Sequence, residues 1–391
     1  MKNILFPLIC IVFSLLTSAC SQRKPHSYTQ IMVDSLKIDV TATSQVKNGD
    51  SLKVNKIIKL EDDSINPIGT IDKVVVTSEM VFVLDKTYSR FLYVFTKNGD
   101  LLYKIGKKGN GPGEYFRGPK DFYVDETLKK IIVFESESKK LFCYNFDGDL
   151  VEIKKIRKSW PYSFAIKNSS TYFAYKTVEK PDSTFLVRIQ DANENTSFKY
   201  KQLYNKRDFV KDECFFYNYK FVYFVEDFNN DIVAFNNKGI EKIITIDFGT
   251  NSIEKDFLNS YKNEEFVKMA VSNQKATNIT QIVETDELFA FQYSYKKLRF
   301  QVIQNKSNKK YLNGIVLNNG YFPSSVYSSF NNQLVSVLHS SYLDLLLNLQ
   351  TNNPSEWKKI VSAAHPAIRK ILLDSKVGQT NNYVLIYNTL F

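Results

Sequence analysis

The chain has 391 residues, of which 43% are hydrophobic and 14% aromatic, and its formal net charge is +11. This length exceeds one ordinary domain, but a repeat architecture can hold it in a single unit. The 52 Lys and Arg residues form no dense basic run, and lysine pairs such as Lys107-Lys108 and Lys139-Lys140 lie mostly at predicted turns. They are therefore interpreted as solvated turn residues, and we expect no nucleic-acid partner.

The first residues have the pattern of an export signal. Lys2 is followed by an uncharged, mostly apolar stretch, which predicts a signal peptide over residues 1–19. Pro7 and the short length of the stretch argue against a membrane-spanning helix. The segment Leu15–Cys20, LLTSAC, resembles a bacterial lipobox, although Thr17 stands where that pattern usually has Leu. The resemblance implies lipid attachment at Cys20, and the alternative is ordinary cleavage that leaves Cys20 unmodified.

Residues 20–50 lack apolar periodicity and are predicted to be a flexible tether. A sequence repeat begins after this segment. Two stretches, 81–101 and 131–150, share one pattern: an apolar strand ending in an acid, a polar turn, an aromatic strand and a Gly-Asp turn. Gly99 and Gly148 mark these last turns and are 49 residues apart. Weaker copies end near residues 192, 239 and 306. A period near 49 indicates a propeller or another array.

Helical patterns interrupt the later repeats. Ser252–Asn273 is predicted to be a helix inserted before or within blade five, with an apolar face formed by Phe257, Tyr261, Phe266 and Met269. Two short helices, Tyr342–Leu349 and Ser355–Leu373, are predicted in the last blade.

The two ends of the repeat are predicted to meet. Leu52–Leu60 alternates like a strand and is expected to complete the last blade, beside the C-terminal strand Asn382–Tyr387. Ring closure of this kind removes exposed sheet edges. Five clear units and one composite unit thus predict an all-β, six-bladed propeller over residues 51–391.

The stretch Val81–Ile156 resembles the six-bladed β-propeller lipoproteins of Bacteroides-type bacteria, which are NHL/TolB-like, and the similarity extends over Leu52–Phe391. In that family a G-x-G-P-G-E-[YF] motif, with a later Pro, links the outer strand of one blade to the inner strand of the next. The matching residues are Gly109, Gly111, Pro112, Gly113, Glu114, Tyr115 and Pro119. Blades four and five lack the motif. The resemblance implies a fold and an envelope location, but no shared activity.

The residues after Cys20 bear on location within the envelope. Surface-exported lipoproteins of such bacteria usually carry acidic residues directly after the lipidated cysteine. Ser21–Pro25, SQRKP, is polar and basic instead. We therefore expect an outer-membrane lipoprotein on the periplasmic face.

The glycine-rich stretch at residues 106–121 is interpreted as a turn between blades. It has no Gly-Lys-Ser/Thr, which a phosphate-binding P-loop requires, and strand residues rather than a helix follow it. Glycine permits positive φ and proline fixes φ, as a sharp change of direction requires.

Few residues are available for catalysis. His26, His339 and His365 have no metal-ligand spacing, Cys143 and Cys214 are expected to be buried thiols, and no nucleophile elbow occurs. We expect no cofactor. The acids Asp85, Glu135 and Glu226 recur at the ends of predicted inner strands. They could converge on a metal at the pore, as in lactonase-like propellers, or accept hydrogen bonds from turn amides.

Two functions follow. The first is a lipid-anchored binding or scaffold module, whose turns near residues 85–90, 135–140 and 226–231 contact a protein, peptide or glycan of the envelope. The alternative is a metal-dependent enzyme of lactonase or lyase type, with its site in the central channel. The scarcity of catalytic residues favours the binding module.

Overall fold

A computed structural model describes most of the chain from residue 31 onward, and its strands form six sheets. The signal peptide, Cys20 and His26 lie outside the described residues. The described ranges are 31–42, 52–111, 113–156, 161–167, 170–175, 187–190, 196–200, 214–217, 220–236, 239–261, 263–316, 325–378 and 381–389.

The sheets follow one another as the blades of a six-bladed propeller, which confirms the predicted fold. Two N-terminal strands, β1 and β2, come first: Met32–Lys37 and Leu52–Lys59. Blade one contains β3 to β6: Lys73–Val76, Met80–Asp85, Phe91–Thr96 and Leu101–Ile105. Blade two contains β7 to β10: Asp121–Asp125, Lys130–Glu135, Lys140–Asn145 and Leu150–Lys155. Blade three contains β11 to β14: Pro161–Lys167, Ser170–Tyr175, Val187–Gln190 and Thr196–Tyr200.

The later blades recruit the N-terminal strands. Blade four contains β15 to β18, with β1 on its outer edge: Phe215–Tyr217, Val222–Val225, Asp231–Asn236 and Gly239–Asp247. Blade five contains β19 to β22: Thr277–Glu284, Leu288–Tyr295, Leu298–Asn305 and Tyr311–Ile315. Blade six contains β23 to β25, with β2 outermost: Val326–Phe330, Gln333–Leu338 and Tyr383–Thr389.

The pairing of β2 with β25 closes the ring, as predicted. The two strands are antiparallel, and the register runs from Leu52 opposite Thr389 to Lys59 opposite Tyr383. Ile58 and Leu60 are buried in a core cluster that also contains side chains of blades one and six. The N-terminal strand therefore joins the last blade to the first.

The prediction of a tether over residues 20–50 is wrong for residues 32–37, because these form β1. This strand pairs in parallel with β18. Leu36, Ile38 and Val40 are 8%, 1% and 3% exposed, and they pack into the core between blades four and five. The sequence does not indicate this strand clearly, because its alternating apolar residues are only Leu36, Ile38 and Val40, which stand among polar ones.

The helices differ in number from those predicted. The inserted helix before blade five is two helices, α1 (Lys255–Ser260) and α2 (Asn263–Ser272), because Tyr261 between them has extended backbone angles. Phe257, Tyr261 and Phe266 pack together with Ala270, against Phe228 of blade four. None of the helices in the described part of the chain has the length and apolarity needed to cross a membrane.

Blade six contains three helices rather than two. They are α3 (Ser340–Asn352), α4 (Pro354–Ala363) and α5 (Pro366–Asp374). Pro366 divides the second predicted helix, since proline disfavours helical angles in the residue before it. His365, that preceding residue, has ψ 140° and lies outside both helices.

The two faces of the disk have different connections. We call the loop face the side that carries the crossing between blades one and two (106–120), the turns at 86–90, 136–139 and 227–230, and all five helices. The turn face is the opposite side, which carries short turns such as 77–79, 97–100, 126–129 and 306–310. This difference places the long segments of the described chain on one side.

The repeated glycines mark contacts between blades. Gly99 has φ +100°, and a Cβ added there would lie 1.9 Å from the carbonyl oxygen of Lys59, on the outer strand of blade six. Gly148 has φ +89°, and its Cβ would lie 2.9 Å from the ring of Tyr103, on the outer strand of blade one. Each glycine therefore lets a turn approach the preceding blade closely, which explains their recurrence.

We predict that Gly99→Ala lowers the free energy of unfolding by about 2–5 kcal/mol, because it combines a positive φ with a backbone clash. Gly378→Ala is the matched control, since Gly378 has φ +75° with nothing within 4 Å of the added Cβ. Its cost should be about 1 kcal/mol, the conformational part alone. Urea unfolding measures both, and equal losses would contradict the close-contact explanation.

Candidate functional site

Asp85 holds a turn and a crossing loop together. It ends β4, the second strand of its blade and not the innermost one as expected, since the short strand β3 lies inside it. The carboxylate is fully buried and accepts hydrogen bonds from the backbone N–H groups of Gly69, Thr70, Thr87, Tyr88 and Ser89. Burial raises the pKa of Asp85, but these hydrogen bonds lower it by more, so the pKa of Asp85 lies below its usual value.

Glu135 has the same position and role in blade two. It ends β8, and its carboxylate accepts hydrogen bonds from the backbone N–H of Arg117, at 2.8 Å, and from the hydroxyl of Ser138. Glu226 follows β16 in blade four and is also buried. Among the described residues, no three His, Cys, Asp or Glu side chains form a group that could hold a metal ion. Asp85 and Glu135 thus act as acceptors for loop amides.

The glycine-rich stretch is the crossing between blades one and two. It runs from the end of β6 to the start of β7, and Tyr115 within it is fully buried, with its hydroxyl 3.0 Å from that of Tyr144. The Glu114 carboxylate accepts from the N–H of Gly111, at 2.8 Å, and pairs with Lys107. Pro112 lies outside the described residues. The stretch is therefore folded around its own glutamate and anchored by a tyrosine.

His339 and His365 are helix caps. The Nδ1 atom of His339 accepts from the N–H of Ser341 at 3.1 Å, and that of His365 accepts from Ala367 at 3.2 Å. Burial lowers the pKa of both histidines, which favours the neutral, accepting form. Cys143 and Cys214 are buried thiols that do not form a disulfide, as predicted. These four residues therefore have structural roles, the histidines as helix caps and the cysteines as buried side chains.

The first strands of all six blades line a central channel of about 500 Å³. Their side chains alternate between the channel and the blade interior, and the channel-facing ones are mostly polar or aromatic. The described lining contains no histidine or cysteine. It includes Lys73, Val75, Asp121, Tyr123, Lys167, Phe216, Tyr217, Gln281 and Tyr327.

Lys73 bridges the channel. Its ammonium group lies 2.7 Å from the Asp121 carboxylate and donates to the carbonyl oxygen of Phe122, also at 2.7 Å. It also lies 4.8 Å from the ring centroid of Tyr217, which belongs to the opposite blade. The Tyr217 ring contacts Tyr123, with centroids 5.4 Å apart. Burial lowers the pKa of Lys73, but Asp121 and Tyr217 raise it more, so the amine stays charged.

Lys167 lies at the turn-face end of the channel wall and is 8% exposed. Burial lowers its pKa to about 8. The channel therefore contains one strongly paired ammonium and one whose charge is disfavoured.

The loop face of blade one carries an exposed apolar surface. Ile65, Tyr88 and Phe116 are 84%, 70% and 56% exposed. The turn with Tyr88 lies close to the other two loops, since a Cβ added at Gly69 would lie 2.6 Å from the Cβ of Tyr88 and one added at Gly118 would lie 2.9 Å from that of Arg90. We call Ile65, Tyr88, Arg90, Phe116 and Arg117 the blade-one patch. Tyr88 and Arg90 fall in a predicted turn, whereas sequence reasoning missed Ile65 and Phe116, large apolar residues within polar loops.

We predict that Lys167→Met removes a pH dependence of stability. Because the pKa of Lys167 is about 8 in the folded chain and 10.5 in the unfolded chain, the unfolded state binds more protons between these values. Wild-type stability should therefore rise by roughly 2–3 kcal/mol as pH increases from about 8 to 10.5. Urea unfolding against pH tests this. The control Lys154→Met, at an exposed lysine, should keep the rise of the free energy of unfolding with pH. The same rise in Lys167→Met would contradict the prediction.

We predict that Asp121→Asn lowers the free energy of unfolding by about 1–3 kcal/mol, since it leaves the Lys73 ammonium without its carboxylate. The double variant Lys73→Met/Asp121→Asn should cost less than Lys73→Met and Asp121→Asn combined. Glu152→Gln is the control, because it removes the exposed pair with Lys154 and should cost under about 0.5 kcal/mol. Additive losses in the double-mutant cycle would contradict a coupled pair.

Comparisons with known proteins bear on fold and family. A family model described as "Domain of unknown function (DUF4934)" matches residues 35–386. A search of curated proteins finds no match. The chain is similar to the structure of a putative exported protein from Bacteroides fragilis NCTC 9343, with a TM-score of 0.74 and 17% identity over 92% of this chain and 100% of that one.

A second similar structure is a member of the duf4221 family from Bacteroides vulgatus ATCC 8482, with a TM-score of 0.50 and 12% identity. The alignment covers 89% of this chain and 99% of that one. At these identities the likeness concerns the fold alone. The family model, by contrast, covers most of this sequence, and the chain therefore belongs to the family described as domain of unknown function DUF4934.

Proposed function

We propose that this chain is an exported, lipid-anchored propeller of the bacterial cell envelope that binds a protein or peptide through the blade-one patch. A binding module is consistent with the propeller fold, whose closed ring presents loops on a rigid support. Arg90 and Arg117 flank the apolar residues of the patch and are exposed, and the Arg117 guanidinium lies 3.6 Å from the Glu137 carboxylate.

The proposal of export and anchoring is supported by the N-terminal sequence. Residues 1–19 have the signal-peptide pattern, and LLTSAC ends at the candidate lipid attachment site, Cys20. The similar Bacteroides fragilis structure carries the description of a putative exported protein. The basic segment Ser21–Pro25 supports the periplasmic side of the outer membrane as the location.

The exposure of Ile65, Tyr88 and Phe116 is the observation that carries the binding proposal. Soluble proteins rarely leave several large apolar side chains exposed on adjoining loops unless they contact a partner. Tyrosine and arginine are also enriched among residues that dominate binding energies. The Asp85 carboxylate holds two of these loops in place by accepting hydrogen bonds from the N–H groups of Gly69 and Tyr88, so the patch loses little conformational entropy on binding.

The alternative of a lactonase- or lyase-like enzyme receives no such support. Its metal hypothesis required Asp85, Glu135 and Glu226 to converge. Asp85 and Glu135 instead bind the amides of separate loops, at different blades. We therefore do not assign a catalytic role to these carboxylates.

We predict that a photoreactive phenylalanine analogue at position 88 of the full chain, produced in its own cells, forms a protease-sensitive adduct after irradiation. The same analogue at position 128 is the matched control, since Leu128 is 61% exposed but lies on the turn face. Phe116→Ala and Arg117→Ala should each weaken the adduct several-fold without lowering stability, because both side chains are exposed. Equal adducts from positions 88 and 128, or a protease-resistant one, would contradict a peptide partner.

A further inference from the structure

The N-terminal strand enters the propeller at its turn face. β1 runs parallel to β18, with Met32 paired with Lys242 and Lys37 with Asp247. β18 begins at Gly239, directly after the turn that follows β17 on the turn face. Parallel neighbours begin at the same end. The chain before Met32 therefore leaves blade four from the turn face.

The entering segment is docked firmly. Leu36, Ile38 and Val40 are buried between blades four and five. The N–H of Ile38 donates to the carbonyl oxygen of Asp247 at 2.8 Å, and the amide of Asn313 donates to that of Asp39 at 3.1 Å. The segment is thus attached to both blades.

The length of the preceding chain restricts where the disk can lie. Met32 is only twelve residues after Cys20, so a fully extended connection spans at most about 40 Å. A tether that continued to residue 50 would reach roughly 100 Å. Docking of β1 therefore brings blade four close to any lipid attached at Cys20.

Apolar side chains are exposed where the chain enters. Ile31, Met32 and Val33 are 42%, 55% and 73% exposed. They are consecutive and lie at the edge of a sheet. They are also the described residues nearest in sequence to the candidate lipid attachment site, Cys20. Exposed apolar residues of this kind at a membrane-proximal edge can insert among lipid headgroups.

The charges beside this edge are of both signs. Lys242 is paired with Met32 in the strand register, and Asp34 is exposed directly after Val33. The exposed pair Lys309–Lys310 precedes Tyr311, whose hydroxyl accepts from the N–H of Asp39, beyond the other end of β1. The apolar side chains, rather than the charges, therefore distinguish this edge.

We propose that the turn-face edge formed by Ile31–Val33 rests on the phospholipid membrane that holds the anchor. In this orientation the loop face, with its blade-one patch, points away from the lipid. The proposal deepens the proposed function and rests on its lipid anchor at Cys20.

The test uses the full-length lipidated protein in vesicles of phosphatidylethanolamine and phosphatidylglycerol. An environment-sensitive fluorophore is attached in Val33→Cys and, as the control, in Tyr88→Cys on the loop face. Cys143 and Cys214 are buried and should not react in the folded protein. Lipids with a spin-labelled headgroup should quench the label at position 33 several-fold more strongly than the label at position 88.

A further change tests the cause. Lengthening the connection before Ile31 with a flexible Gly-Ser segment should reduce the difference in quenching, because the reach of the anchor increases. Equal quenching at positions 33 and 88 in lipidated protein would overturn the orientation.

A missing lipid anchor at Cys20 is detected by a separate measurement. Mass spectrometry of the mature N-terminus shows whether Cys20 carries acyl chains, independently of any fluorescence. An unmodified Cys20 would overturn both the anchor and this orientation, whereas acylated protein with equal quenching overturns the orientation alone. The crosslinking test of the blade-one patch depends on neither result.

Discussion

Ring closure by β2 is the interaction on which the rest of the structure depends. Each blade buries one face against the next, so a ring of blades leaves two unsatisfied faces unless its ends join. The antiparallel pairing of β2 with β25 supplies that joint, and Ile58 and Leu60 fill the core between the last blade and the first. The channel exists because the closed ring holds six short first strands around one axis.

The same closed ring separates two kinds of surface. On the turn face, short turns contact their neighbours, as when the side chain of Glu126 accepts from Ser78 and that of Asn332 accepts from the N–H of Asp286. On the loop face, buried acids such as Asp85 and Glu135 hold longer loops in place. A rigid support with long loops on one side suits a binding module, and the docked N-terminal strand relates that side to the proposed anchor.

The centre of the ring shows how burial controls charge. Lys73 remains charged because Asp121 and two aromatic rings replace the water it loses. Lys167, also in the channel wall, has its pKa lowered to about 8 by burial. Two lysines of one channel thus have opposite shifts in pKa, and the difference arises from their neighbours rather than from their residue type.

The sequence alone determined the repeat, the six blades and the closing strand, because Gly99 and Gly148 and the alternating apolar residues reflect local turn geometry and strand period. It also located the inserted helices, although Pro366 divided one of them. Tertiary structure decided what depends on contacts between distant residues. Parallel pairing with β18 made Met32–Lys37 a strand, the short innermost strands displaced Asp85 and Glu135 from the pore, and the folded loops left Ile65, Tyr88 and Phe116 exposed on one face. No local pattern encodes such contacts, because each requires the ring to be closed first.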